Sequence, residues 1–119
     1  MKSYSFENLK VWRKSKQWIV YIYDITKTFP SEERYGLTSQ LRRASVSIGS
    51  NIAEGSSRKT PKDQNRFYVM AYSSGIEVLN QVLIAEALEY LSNEEVQKCR
   101  MKISEILGML DALTKSLKL

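Results

Sequence analysis

The sequence predicts an all-α protein, an antiparallel up-down-up-down bundle of four helices. Two observations carry that prediction. Apolar residues recur every three or four positions through almost the whole chain, and helix breakers are few, with five Gly and two Pro in 119 residues. Four periodic segments are separated by short polar links, and short links between helices make neighbours antiparallel. The length fits one domain, residues 1–119, which buries roughly two-thirds of the surface its unfolded chain exposes. Such a domain needs neither disulfides nor a metal to fold.

In the first segment Val11, Ser15, Trp18, Ile22, Ile25 and Phe29 alternate four- and three-residue steps, which places them on one stripe. Trp12, Ile19 and Tyr23 widen the apolar arc to about 160°, more than one core-facing stripe requires. The excess predicts contact with two neighbours and leaves room for another subunit. Phe29-Pro30 ends the helix, because a residue before proline is pushed out of the α region.

A connection from Pro30 to Gly36 leads into a second helix over about Leu37–Arg58, with Leu37, Leu41, Ala44, Ile48 and Ile52 as its core stripe and Asn51 at the edge. Beside that stripe Ser45, Gly49, Ser50, Ala53 and Ser56 form an arc of small residues. An arc this flat lets another backbone come close, although glycine in mid-helix costs about 1 kcal/mol relative to alanine. A tightly packed neighbour within the bundle accounts for it; a subunit contact or a ligand at the backbone is the alternative.

The third helix opens on Thr60 as N-cap, Pro61 at the first helical position and Asp63 in a capping-box-like pattern. It carries two stripes, Phe67, Ala71, Ser74, Val78, Ala85 and Leu88, and then Tyr72, Ile76, Leu79, Leu83 and Tyr90. A helix of about 30 residues with two apolar stripes is expected at the centre of the bundle. The fourth starts at Ser92, with Glu95 completing a capping box. Val96, Cys99, Ile103, Ile106, Leu110, Leu113 and Leu117 then keep the spacing of a bundle seam.

Composition excludes more chemistry than it supports. With no histidine, one cysteine and three aspartates, the chain lacks the ordinary ligand sets for zinc or iron and any imidazole acid-base catalyst. No cofactor or metal site and no catalytic residues are therefore expected. A di-iron bundle site requires Glu-x-x-His pairs, neither a Ser-x-x-Lys nor a Gly-x-Ser-x-Gly nucleophile is expected, and a glycine-rich phosphate loop is absent. The N-terminus shows no signal pattern, and there is no run of about 18 apolar residues. A cytoplasmic protein with Cys99 as a core thiol is the expectation.

The charge is uneven. The net value is +5, yet residues 1–59 hold 11 basic and 5 acidic groups whereas residues 60–119 hold 7 and 8. An excess confined to one half points to a positive surface facing phosphates or an acidic protein. Lys10, Arg13 and Lys14 share the polar face of the first helix. Arg42 and Arg43 are adjacent in the second, so about 100° apart and unable to point the same way. Arg58 and Lys59 close that helix, where cations also suit the helix dipole. These seven residues are the candidate phosphate contacts. The polar connector Ser56–Lys62, beside the start of helix 3, is a further place for a phosphate, or simply a solvated capping loop. Aromatic interleaving is weak, since Trp12, Trp18, Tyr23 and Phe67 read as core, while Tyr4, Tyr21, Tyr35 and Tyr68 read as more exposed without forming a pattern.

Several runs resemble one family. Phe6-Glu7-Asn8-Leu9-Lys10-Val11-Trp12, Thr28-Phe29-Pro30, Glu33-Arg34-Tyr35-Gly36-Leu37, Gln40-Leu41-Arg42-Arg43-Ala44 and Ser47-Ile48-Gly49-Ser50-Asn51-Ile52-Ala53-Glu54-Gly55 are similar to the four-helix-bundle proteins encoded in intervening sequences of bacterial 23S rRNA genes. Arg66-Phe67 and the stretch from Leu83 to Leu91 extend the likeness over nearly the whole chain. Ser45 and Gly49 stand where that family often has Ala and Pro. The resemblance implies a left-handed bundle, a ring-like homo-oligomer, specifically a homopentamer, and a basic surface for nucleic acid. It also implies kinship with the accessory proteins of diversity-generating retroelements, which work with a reverse transcriptase and RNA, and it brings no established enzymatic activity. The expected function is accordingly that of a non-enzymatic, basic, homo-oligomeric accessory factor binding RNA or structured DNA, with no membrane association. The alternative is a protein-interaction scaffold that docks an acidic partner.

Overall fold

Local chemistry accounts for most of the helix starts and stops. The computed structural model describes residues 1–119 and contains α1 (Lys10–Ile25), α2 (Leu37–Ser56), α3 (Pro61–Ala87) and α4 (Asn93–Lys115). Short 3-10 turns precede α1 and fill the connection from α1 to α2. The helices pack in chain order, and α1 closes the bundle against α4. No helix is long and apolar enough to cross a membrane.

Both sequence-read helix starts are present. Thr60 Oγ1 accepts the Asp63 N–H at 3.2 Å, with Pro61 next to the cap. Ser92 and Glu95 make the reciprocal capping box, at 3.1 and 2.9 Å. The helix ends differ more. α1 stops at Ile25, four residues before Phe29, and Thr26–Thr28 tightens into a 3-10 turn. The threonines favour this, because Thr26 Oγ1 donates to the Ile22 carbonyl at 2.6 Å and Thr28 Oγ1 to the Ile25 carbonyl at 2.9 Å. α3 is 27 residues long and ends in a Schellman motif. The Tyr90 N–H reaches the Ala85 carbonyl, the Glu89 N–H reaches that of Glu86, and Glu89 takes the left-handed conformation with φ 64°.

The start of α2 is capped from outside. Gly36 has no side chain to offer at the N-cap, and Glu33 takes that role. Its Oε1 accepts the Leu37 N–H at 3.1 Å while its Oε2 accepts the Tyr90 hydroxyl at 2.8 Å, tying the α1–α2 connection to the α3–α4 corner. The Leu37 amide, then the Tyr90 hydroxyl, hold the Glu33 carboxyl below the usual carboxylate range. A carboxyl whose folded pKa is depressed stabilises the fold above its unfolded value, and that stabilisation disappears as pH falls through the folded value. Melting temperature should therefore drop on acidification below about pH 4.3. In Glu33→Gln, which keeps an acceptor but does not titrate, thermal melts between pH 3 and 7 should show a shallower drop.

The core collects Trp18 and Ile22 from α1, Leu41, Ile48 and Ile52 from α2, Val78 and Val82 from α3, and Ile103, Ile106 and Leu110 from α4. The small-residue arc of α2 mainly serves close packing on α1. Trp18 Nε1 donates to Ser45 Oγ at 2.9 Å in the interior, and the bare face of Gly49 meets Ser15 and Ile19. Ser56 pairs with Ser5 at 3.4 Å, whereas Ser50 stays exposed. Cys99 is fully buried as expected, and burial first, then the charge of Glu95, pushes its thiol up to about 11. Since the thiolate is the reactive form, labelling by a disulfide reagent at pH 8 should be slow in the native protein and fast in urea.

Two expectations about the apolar stripes are corrected. The second stripe of α3 is only partly covered: Tyr72, Leu83 and Tyr90 are half-buried against the core, Leu79 is half-buried and Ile76 is 47% exposed. Two neighbours cover only one side of a helix in a four-helix bundle, so the rest of a double-striped helix faces outward. Leu88, placed on the first stripe, also lies exposed, because the chain leaves the helix there. On α1, Tyr23 is exposed rather than core and Val20 is open as well. Tyr68, read as exposed, is buried against Gly55.

Candidate nucleic-acid interface

The seven basic candidates do not form one surface. Because α1 runs antiparallel to α2, Lys10 and Arg13 lie at the end of the bundle that carries Arg58 and Lys59, as the contact between Ser5 and Ser56 shows. Arg42 and Arg43 lie at the other end, sixteen residues before Arg58, or roughly 24 Å at the helical rise. Lys14 belongs to neither group, since it pairs with Glu105 of α4 at 3.2 Å.

At the first end most of the charge already has a structural partner. Arg58 lies 3.8 Å from Asp63 and over the Phe67 ring at 4.4 Å, and Arg66 shares the same carboxylate at 3.0 Å. Arg13 Nε donates to the Glu7 carbonyl at 3.0 Å. Lys10 and Lys59 are exposed and form no ion pair. The Ser56-x-x-Lys59 spacing, which sequence reading passed over, is that of a serine nucleophile with a lysine base. Here it is not assembled, since Ser56 Oγ donates to the Ala53 carbonyl at 3.0 Å and makes no bond to Lys59.

The other end is built differently. Arg42 and Arg43 point apart, as the helix angle requires, yet both border one open groove of about 510 Å³ between the end of α1, the connection and the first turns of α2. Arg42 is half-buried and held by neutral groups: Nε donates to Thr26 Oγ1 at 2.9 Å, Nη2 donates to the Tyr23 carbonyl at 3.2 Å, and the guanidinium lies 4.5 Å from the centre of the Tyr23 ring. Arg43 is exposed. Arg34 joins the same groove and lies over the Tyr35 ring at 5.5 Å. None of the three arginines forms an ion pair, and no acidic side chain lines the groove.

Arg34, Tyr35 and Tyr23 are the groove residues that sequence reading missed. The signal was there in the spacing. Tyr35, Ser39, Arg42 or Arg43, and Val46 repeat at four- and three-residue steps, so they continue one face of α2 back into the connection. Tyr35 lies before the first residue of α2, so a helix wheel drawn from Leu37 omits it. Elsewhere, no three Cys, Asp or Glu side chains converge as metal ligands would.

A family model described as the 23S rRNA-intervening sequence protein matches residues 7–112. The chain belongs to that family. The groove and all seven candidate residues lie inside the matched span. A crystal structure of a protein of unknown function from the S23 ribosomal protein family of Bacteroides thetaiotaomicron superposes with a TM-score of 0.82 at 23% identity, covering 89% of this chain and 99% of that one. At that identity the likeness speaks for the fold of this 23S rRNA-intervening sequence family member. Among curated proteins, none matches the chain.

Proposed function

We propose that this family member is a non-enzymatic, cytoplasmic accessory protein that binds RNA or structured DNA through the arginine groove at the start of α2 and works as a homo-oligomer. The groove carries the reading: three arginines without carboxylate partners surround a concavity free of acids in a chain of net charge +5. Unneutralised guanidinium groups fit phosphate oxygens with two parallel hydrogen bonds. The outer face of α3 supports self-association, because Val69, Met70, Ile76 and Ile84 are all more than two-fifths open to solvent, at 51, 43, 47 and 42%. The pentamer implied by family resemblance would gather five copies at +5 each, +25 in all. A field of that size strengthens polyanion binding and makes it salt-sensitive.

The test is titration of a labelled stem-loop RNA and a duplex DNA at ~50 mM salt, followed by anisotropy, where phosphate contacts are strong. Binding is expected, with affinity falling steeply by ~200 mM salt. The exposed pair Arg34→Glu and Arg43→Glu together should weaken it more than tenfold, whereas Lys10→Glu with Lys59→Glu should weaken it less. Absence of binding to either nucleic acid at low salt overturns the reading.

A further inference from the structure

We propose that the groove at the start of α2 takes an unpaired nucleotide, so that the protein selects single-stranded or looped-out nucleic acid over duplex. The inference rests on the nucleic-acid reading above and names the substrate class for the same site.

Shape is the first argument. Readers of duplex DNA push a helix or ribbon into a groove of the nucleic acid, so their reading surface protrudes. Here the arginines line an open concavity of about 510 Å³, room enough in volume for one small ligand. A strand can place one base in such a space only if that base is unpaired.

Chemistry is the second. Single strands are held by a positive groove that follows the phosphates and by aromatic rings on which bases stack. Tyr35 is 86% exposed, and its ring touches no aromatic neighbour; Arg34 alone lies over it. A ring this open contributes little to the core and offers a free stacking face. Arg42 is anchored by Thr26 and by Tyr23, so its charge is already in place and little side-chain entropy is lost when a phosphate arrives. Arg34 and Arg43, both exposed, supply further charge to the same groove. The hydroxyl of Ser39 lies in the same groove and can bond to sugar or phosphate.

The experiment compares a 12-nucleotide single-stranded RNA, the DNA strand of the same sequence and a blunt RNA duplex of that length, each labelled and titrated with full-length protein at ~50 mM salt. The single strands should bind at least tenfold more tightly than the duplex. Tyr35→Ala should weaken single-strand binding by about 5- to 150-fold, the range for loss of one stacked base. Tyr35→Phe should bind like the native protein, and duplex binding should not change in either variant. Circular dichroism should show native helicity and melting in both, since the side chain lies outside the core. Equal binding of strand and duplex, or a Tyr35→Ala variant that binds strands normally, overturns the unpaired-base proposal while leaving nucleic-acid binding intact. No binding to any of the three overturns both. Capture of an acidic protein that survives nuclease and is lost in Tyr35→Ala, with no strand binding, also overturns it.

Discussion

Trp18→Ala should remove about 3–5 kcal/mol of folding free energy, the usual cost of deleting a buried large aromatic. Trp18 is 1% exposed and lies between α1 and α2, with its indole N–H on Ser45. Losing it removes apolar burial and leaves a void that rigid neighbours such as Ile22 and Ile48 cannot fill. The loss is a large part of the 5–15 kcal/mol that a domain of this size possesses, so the variant should be substantially unfolded near body temperature. Trp18→Phe should cost less. It retains most of the burial, and the Ser45 hydroxyl, deprived of the indole N–H, can turn to a carbonyl of its own helix. Urea denaturation followed by far-ultraviolet circular dichroism reads both variants. If Trp18→Ala shifts stability by less than 1 kcal/mol, the close α1–α2 packing described above is wrong.

The second large effect is a contrast between two glycines. Gly55→Ala should destabilise the protein, whereas Gly75→Ala should be neutral or stabilising. A Cβ at Gly55 would lie 2.6 and 2.9 Å from ring atoms of Tyr68 and 3.1 Å from Phe67 Cβ. Tyr68 is 3% exposed, so its ring has nowhere to go, and overpacking of this kind costs about 1–3 kcal/mol. The gain in helix propensity, about 1 kcal/mol, offsets only part of that. At Gly75 the nearest atom is Leu107 Cδ2 at 2.7 Å. That atom ends a flexible, half-buried side chain which can rotate away, so the propensity gain prevails. Denaturant midpoints should place Gly75→Ala at or above native and native above Gly55→Ala; the reverse order would refute the packing argument.

The helices were legible because their signals are local. Thr60-Pro61-x-Asp63 and Ser92-x-x-Glu95 are satisfied by backbone amides three residues away, so nothing distant can change their meaning. The stripe Val96, Cys99, Ile103, Ile106 and Leu110 is buried throughout for a related reason: a helix that must bury one face shows that face as a period. Helix ends were read less well. Thr26 and Thr28 turn the end of α1 by bonding back to its carbonyls, and the bundle then uses Thr26 as an acceptor for Arg42.

The candidate interface was legible only in part, because charge in a sequence has no position until the helices pack. Seven basic residues lie close in the sequence, but the length of α2 separates Arg42 and Arg43 from Arg58 and Lys59, the antiparallel turn between α1 and α2 brings Lys10 and Arg13 to the latter pair, and α4 brings Glu105 to Lys14. Tyr23 could be counted as apolar on a helix wheel, yet whether a ring at the edge of a stripe is covered depends on which neighbour stands beside it. Here that neighbour is Arg42, which stacks on the ring and leaves it partly open. The pattern of residues along the chain therefore determined four helices, their caps and most of their buried faces, since each depends on contacts within a few residues. Which charges remain unpaired, and that Tyr23 of α1 joins Arg34, Tyr35, Arg42 and Arg43 at one groove, was decided by packing, because α1 and α2 meet only after the connecting turn has folded back.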